Sequence, residues 1–202
     1  MKLDLLFTTF PFISGEGVTL NRITEMDFKS LCEIMADEEN YRFSPDSAAT
    51  SPSDVKAKMR AIYANFRDRR SVTLGIFSND SLNKLIGTLE ILNFNQRINS
   101  VVVEIMMNRD FTRRGLGTAA MIATVKFLFE TIEINRIQAY VMPHNIACKT
   151  LLDKSGFFHE GTIREAFIWP DTGIIDLDLY SILYSDYRRE QKKKTFTGQH
   201  LF

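Results

Sequence analysis

The chain has 202 residues, 45% of them hydrophobic and 25% charged, the composition of a globular domain with a sizeable core rather than of a disordered chain. Lys plus Arg equals Asp plus Glu at 25 each, so no global electrostatic pull towards nucleic acid or a membrane surface exists. Two cysteines (Cys32, Cys148) and three scattered histidines (His144, His159, His200) exclude a disulfide framework and give no metal-ligand spacing. No apolar run is long enough to span a bilayer, and Asp4 interrupts the early one with no cleavage site behind it. No signal peptide or membrane anchor is therefore read, and a reduced cytoplasm is the expected compartment.

Residues 1–16 read as an extension, 17–190 as a single domain and 191–202 as a polar, frayed tail. Val18, Leu20 and Arg22 predict a strand. A helix follows, with Thr24 and Asp27 at capping-box spacing and Phe28, Leu31, Cys32 and Met35 on one face. The acidic run Ala36–Asn40 reads as a solvated helix end. A second helix is predicted after Ser51 or Ser53, with Val55, Met59, Ile62 and Phe66 aligned. Ser71–Phe77, Leu85–Phe94 and Val101–Met107 read as three strands joined by polar turns, an antiparallel meander. The last is apolar on both faces except at Glu104.

A helix beginning at Gly117 carries Met121, Ile122, Val125, Leu128, Phe129 and Ile132 at helical spacing. Arg136–Met142 reads as a strand. A short helix from Asn145 follows, with Ala147, Cys148, Leu151 and Leu152 on its apolar side and Gly156 as a left-handed cap. Two strands, 159–169 and 173–184, flank a Pro-Asp-Thr-Gly turn. The fold class is mixed α/β. The strand–loop–helix–strand unit in the middle suggests one parallel pairing.

The segment "RDFTRRGLGTAAMIATVKFLF" (109–129) carries the most chemistry. A helix N-terminus offers unpaired N–H groups and the positive end of a dipole, which suit phosphate. Gly115 and Gly117 let backbone approach an anion, and Arg113 and Arg114 add charge. A tight strand-to-helix turn without a ligand is the plain alternative. The P-loop and dinucleotide glycine patterns are both absent. A phosphate-bearing cofactor of another kind remains.

The same segment resembles the acyl-coenzyme-A-binding motif of the GCN5-related N-acetyltransferase superfamily, with Thr112 at the position where Gln or Arg is usual. The block "NIACKTLLDKSGFFHEGTIREAF" (145–167) resembles that of the branch acetylating protein N-termini, including ribosomal proteins. It matches at Asn145, Leu151, Gly156, Phe157, Glu160, Gly161 and Arg164, with Cys148 in place of Ser. The resemblance runs from about Gly17 to Arg189.

It implies a mostly antiparallel central sheet with one splayed parallel strand pair, flanked by helices. It also implies acetyl-coenzyme A (acetyl-CoA) as cosubstrate without a metal. The pyrophosphate would meet Arg113, Arg114, Gly115, Leu116, Gly117 and Thr118. The pantetheine arm would pair with Ile105, Met106 and Met107 and be held by Asn145. A backbone N–H near Met106 would face the thioester carbonyl.

The implied reaction is attack of a primary amine on the thioester. Glu104 is the candidate base, with an ion pair or backbone cap as its structural alternative; Glu160 and Glu165 are weaker candidates. Cys148, Tyr140 and Tyr180 are candidate proton donors to the thiolate, each with ordinary packing as the alternative. No covalent acetyl-cysteine is expected, since no His is placed to activate Cys148. Phe167 and Trp169 are candidate lining of the acceptor cleft. The acceptor implied is a protein N-terminal α-amine, with a polyamine, amino acid or aminoglycoside as the rival. A sensor that binds the coenzyme without turnover is the reading from another class. No nucleic acid or membrane partner is expected, and exposed strand edges leave a homodimer open.

Overall fold

The computed structural model describes residues 1–80, 83–170 and 172–198. The turn positions Ser81, Leu82 and Asp171 and tail residues 199–202, which include His200, lie outside the described residues. The elements are α1 (Leu3–Thr8), β1 (Ile13–Gly15), β2 (Val18–Asn21), α2 (Phe28–Met35), α3 (Glu38–Tyr41), α4 (Pro52–Arg67), β3 (Ser71–Ser78), β4 (Lys84–Asn95), β5 (Ser100–Met107), α5 (Leu116–Glu130), β6 (Arg136–Val141), α6 (Ile146–Lys154), β7 (Phe158–Trp169), β8 (Gly173–Leu183) and α7 (Tyr184–Gly198).

Local chemistry sets the helix starts. The Thr24 N–H donates to Asp27 Oδ2 at 2.8 Å. Ser51 and Asp54 exchange reciprocal capping bonds, with Pro52 in the first turn; both satisfy amides that a helix start leaves open. Gly156 terminates α6 at φ +87°, and the Phe157 N–H donates back to the Leu152 carbonyl at 3.0 Å, as a left-handed cap requires. Ala147, predicted on the apolar side of α6, is exposed. The described part of the tail is helical in α7 as far as Gly198.

The eight strands form one sheet in the order β1-β2-β3-β4-β5-β6-β8-β7. Every pairing is antiparallel except β5–β6. That parallel pairing holds only from Ser100↔Arg136 to Val102↔Gln138. Beyond it the strands diverge, and Glu104–Met107 lie on the unpaired side of the opening.

Side chains alternate across a sheet, so the register sorts residues onto two faces. One face carries the larger core. Val72, Leu74, Ile76, Leu89, Ile91, Val101, Val103, Ile137, Ala139, Val141, Tyr180 and Ile182 pack there with Met121, Leu128 and Phe129 of α5 and Leu152 of α6. Leu6 and Phe7 of α1 join the same cluster. The other face carries a smaller core over its first half, where Leu85, Phe77 and Met106 meet Leu31 and Ile34 of α2 and Val55 and Met59 of α4.

Candidate active site

Three structural features converge at the opening between β5 and β6. The first is the start of α5. Its N-cap, Gly115, sits at φ +80° with no side-chain cap, and Arg113 two residues earlier is also left-handed at φ +59°. Such alternation turns successive N–H groups into one concavity. A Cβ on Gly115 would meet nothing within 4 Å, so the turn faces open space. Arg113 and Arg114 are exposed, and Arg114 leans over the Phe111 ring at 5.1 Å. The Thr112 hydroxyl donates to the Arg109 carbonyl at 2.8 Å; in place of the longer side chain usual there, it caps the preceding turn. Arg109 makes a two-point ion pair with Asp37 (2.6 and 2.8 Å) that ties this loop to the start of α3.

The second feature is the seam between α5, α6 and β5. A Cβ on Gly117 would lie 3.0 Å from Leu151 Cδ1 and 3.4 Å from Met107 Cγ. Absence of that Cβ lets the first turn of α5 close on α6 and the end of β5. Asn145 caps α6, its Oδ1 accepting from the Cys148 N–H at 3.0 Å, so its Nδ2 is left for another acceptor. The cap and a hold on a bound amide are compatible.

The third is Glu104. Strand pairing sets it opposite Glu90, on the face that α2 and α4 cover further along. Its side chain is exposed to the opening, yet the surrounding protein strips enough water that burial raises its carboxyl above the ordinary range. The charges of Glu90 and Asp46 add to the rise. No ion pair or hydrogen bond holds it among the described residues, so the structural alternative is not realised.

The remaining candidates separate by face. Tyr140 pairs with Leu179 and stands 45% exposed on the face of Glu104. Tyr180 pairs with Ala139 and is buried on the opposite face, under α6, where burial raises its phenol. Cys148 shares that side, and burial pushes its thiol up to about 11. It is protonated at neutral pH and no nucleophile. Glu160 is committed to Ser181 and Arg136, which lower its carboxyl. Glu165 sits in a β7 irregularity at φ +50°, its N–H donating to Asp176 at 2.8 Å. Sequence reasoning missed a network around the buried Asp178, beside Cys148. Asp178 accepts from Thr162 and Lys149 (both 2.5 Å), with His159 at 3.5 Å, fastening α6 to β7 and β8. The β7–β8 register and the packing of α6 bring these residues together, so no local motif announces them.

A left-handed glycine turn at a helix start, a strand opening behind it and a carboxylate raised by its surroundings beside that opening lie together here. Residues 18–158 match the family described as the acetyltransferase (GNAT) domain, and the chain belongs to that family. It is an acetyl-transferring enzyme of the N-acetyltransferase type. A Bacillus subtilis protein described as the uncharacterized N-acetyltransferase YoaA is 24% identical over 174 residues, covering 86% of this chain and 97% of its own. Ribosomal-protein-S5-alanine acetyltransferase from Vibrio fischeri superposes with a TM-score of 0.73 at 16% identity (87% of this chain, 98% of that one). Spermidine N-acetyltransferase from Vibrio cholerae, in complex with CoA and spermine, superposes at 0.72 and 17% (85% and 98%). Among the described residues no cluster of three or more His, Cys, Asp or Glu could hold a metal, and no helix is long and apolar enough to cross a membrane.

Proposed function

We propose that this enzyme moves the acetyl group of acetyl-CoA to a protein N-terminal α-amine by direct attack on the thioester, with Glu104 as the base. The cosubstrate supplies the electrophilic carbonyl and the thiol leaving group. The amides of Leu116, Gly117 and Thr118, with Arg113 and Arg114, hold the pyrophosphate. The backbone of Ile105, Met106 and Met107 and the Nδ2 of Asn145 hold the pantetheine arm. An amide near Met106 faces the carbonyl oxygen. Glu104 takes a proton from the incoming ammonium. Tyr180 and Cys148, both protonated at neutral pH, are the donors that the α6 side offers to the departing sulfur. Tyr140, on the face of Glu104, borders the acceptor instead.

The observation carrying this reading is Glu104. It is an unpaired carboxylate on β5, beside the strand opening, held above the ordinary carboxylate range by its surroundings. Such a base is matched to work near neutral pH. Thiol release from acetyl-CoA, followed with N-terminal peptides, polyamines and aminoglycosides, tests it. Turnover with peptides, lost in Gly117→Glu, supports the reading; turnover with polyamines alone overturns the acceptor assignment. One observation favours that second acceptor: Glu90, Glu104 and Asp46 form a carboxylate group suited to a polycation.

A further inference from the structure

The face of the sheet that bears Glu104 is half covered. Over β3–β5 it lies beneath α2 and α4. Over β6, β8 and β7 no described helix packs on it, because α5 and α6 sit on the opposite face, where Leu152 joins the main core and Lys149 bonds Asp178.

The register shows which side chains occupy this bare half. Glu104 is two residues beyond Val102, which pairs with Gln138; Tyr140 is two residues beyond Gln138 and pairs with Leu179. Leu177 pairs with Ile163, and Ile175 with Phe167. Alternation keeps all of them on the Glu104 face. Tyr140, Ile163 and Phe167 are 45%, 40% and 41% exposed, and Ile175, Leu177 and Leu179 are half-buried. These side chains form an apolar surface of the kind found at binding sites. It is continuous with the opening where the amine must enter, and its two ends differ. The Glu104 end, with Glu90 and Asp46, is acidic, whereas the far end is apolar. From β6 to β7 the surface is about 10 Å wide and along β8 about 13 Å long, room for three or four extended residues.

We propose that this bare half-sheet is the acceptor-polypeptide surface, and that it selects chains whose N-terminal amine is followed by apolar residues. The inference rests on the α-amine reading above. The ammonium meets the carboxylates, and the residues behind it lie on Tyr140, Leu179, Leu177 and Phe167. A polyamine carries a second cation where this surface offers only apolar contact, so the two ends together discriminate against it.

The test compares kcat and KM for two short peptides that share their first two residues. One continues with Ile, Phe and Leu, the other with Gln, Asn and Ser; spermine is the third acceptor. The apolar peptide is expected to have a kcat/KM about tenfold or more above the polar one, the scale set by burying a large apolar side chain. Phe167→Ser is expected to raise KM for the apolar peptide about tenfold, with kcat and acetyl-CoA affinity within about twofold. Ile168→Ser, on the same strand but the opposite face and 75% exposed, is expected to leave KM unchanged. Turnover without discrimination between the peptides, or a preference for spermine, overturns this inference and leaves acetyl transfer standing. A dimer in light scattering that Phe167→Ser dissociates, with no change in KM, assigns the surface to a second copy of the chain and overturns it too. No turnover of either peptide, with acetyl-CoA still bound, overturns the α-amine reading and this inference with it.

Discussion

At the scale of single residues, Glu104 and Glu90 sit opposite one another on neighbouring strands, an arrangement that costs stability when both are ionised. The cost falls where a base is wanted. Burial acts first on Glu104, then Glu90, then Asp46, all raising its carboxyl. The rising limb of kcat against pH is therefore expected to report Glu104, and Glu90→Gln to move it to lower pH by removing one repelling charge. Glu104→Gln should abolish the limb and lower kcat by about 10²–10⁴. The sign for stability is opposite. A carboxyl raised in the folded state contributes stability that is complete below its unfolded value and lost as pH rises through its folded value. Glu104→Gln should thus melt higher than wild type above that range, read by calorimetry across pH. A fall in both kcat and melting temperature would mean that Glu104 is structural.

At the scale of elements, the start of α5 divides its work between two glycines. Gly115 supplies a left-handed backbone in open space, whereas Gly117 supplies a close approach to Leu151 and Met107. Gly115→Ala should cost about 1–2 kcal/mol of stability through backbone strain, without a steric clash. Gly117→Ala should cost less stability, since the Leu151 methyl can yield, but should weaken acetyl-CoA binding the more by crowding the α5–α6 seam. Calorimetric titration beside thermal melts separates the two. This division was partly legible beforehand: the glycine spacing and the arginines pointed to an anion cradle, and Asn145 to a cap. The face on which Tyr140 and Tyr180 stand was not. Those faces are set by the long-range β6–β8 register, which pairs Tyr140 with Leu179 and Tyr180 with Ala139, and a one-residue slip there would exchange them. Nor were α1 and α3 read. Each is too short to hold alone, and α1, without a side-chain cap, persists because Leu6 and Phe7 pack into the main core.

At the scale of the molecule, the two cores are unequal, and the inequality has a direction. The α5–α6 side joins nearly every strand and α1 into one cluster, whereas the α2–α4 side gathers only eight buried hydrophobics over part of the sheet. The glycine turn at the start of α5 therefore stands on the deep core and the start of α3 on the shallow side, joined at the surface by the Arg109–Asp37 pair. Local opening follows the shallower packing. Amide hydrogen exchange in α2 and α4 is expected to be faster than in α5 and β3–β5. Leu6→Ala, although remote from the site, should lower global stability by about 2–5 kcal/mol and speed exchange throughout α5. Acetyl-CoA should slow exchange at the first turn of α5 and, through Arg109, at α3. Protection confined to α5 would show that the Arg109–Asp37 pair transmits nothing. Protection reaching α3, and lost in Asp37→Asn, would show that loading the cosubstrate is transmitted through this ion pair to α3.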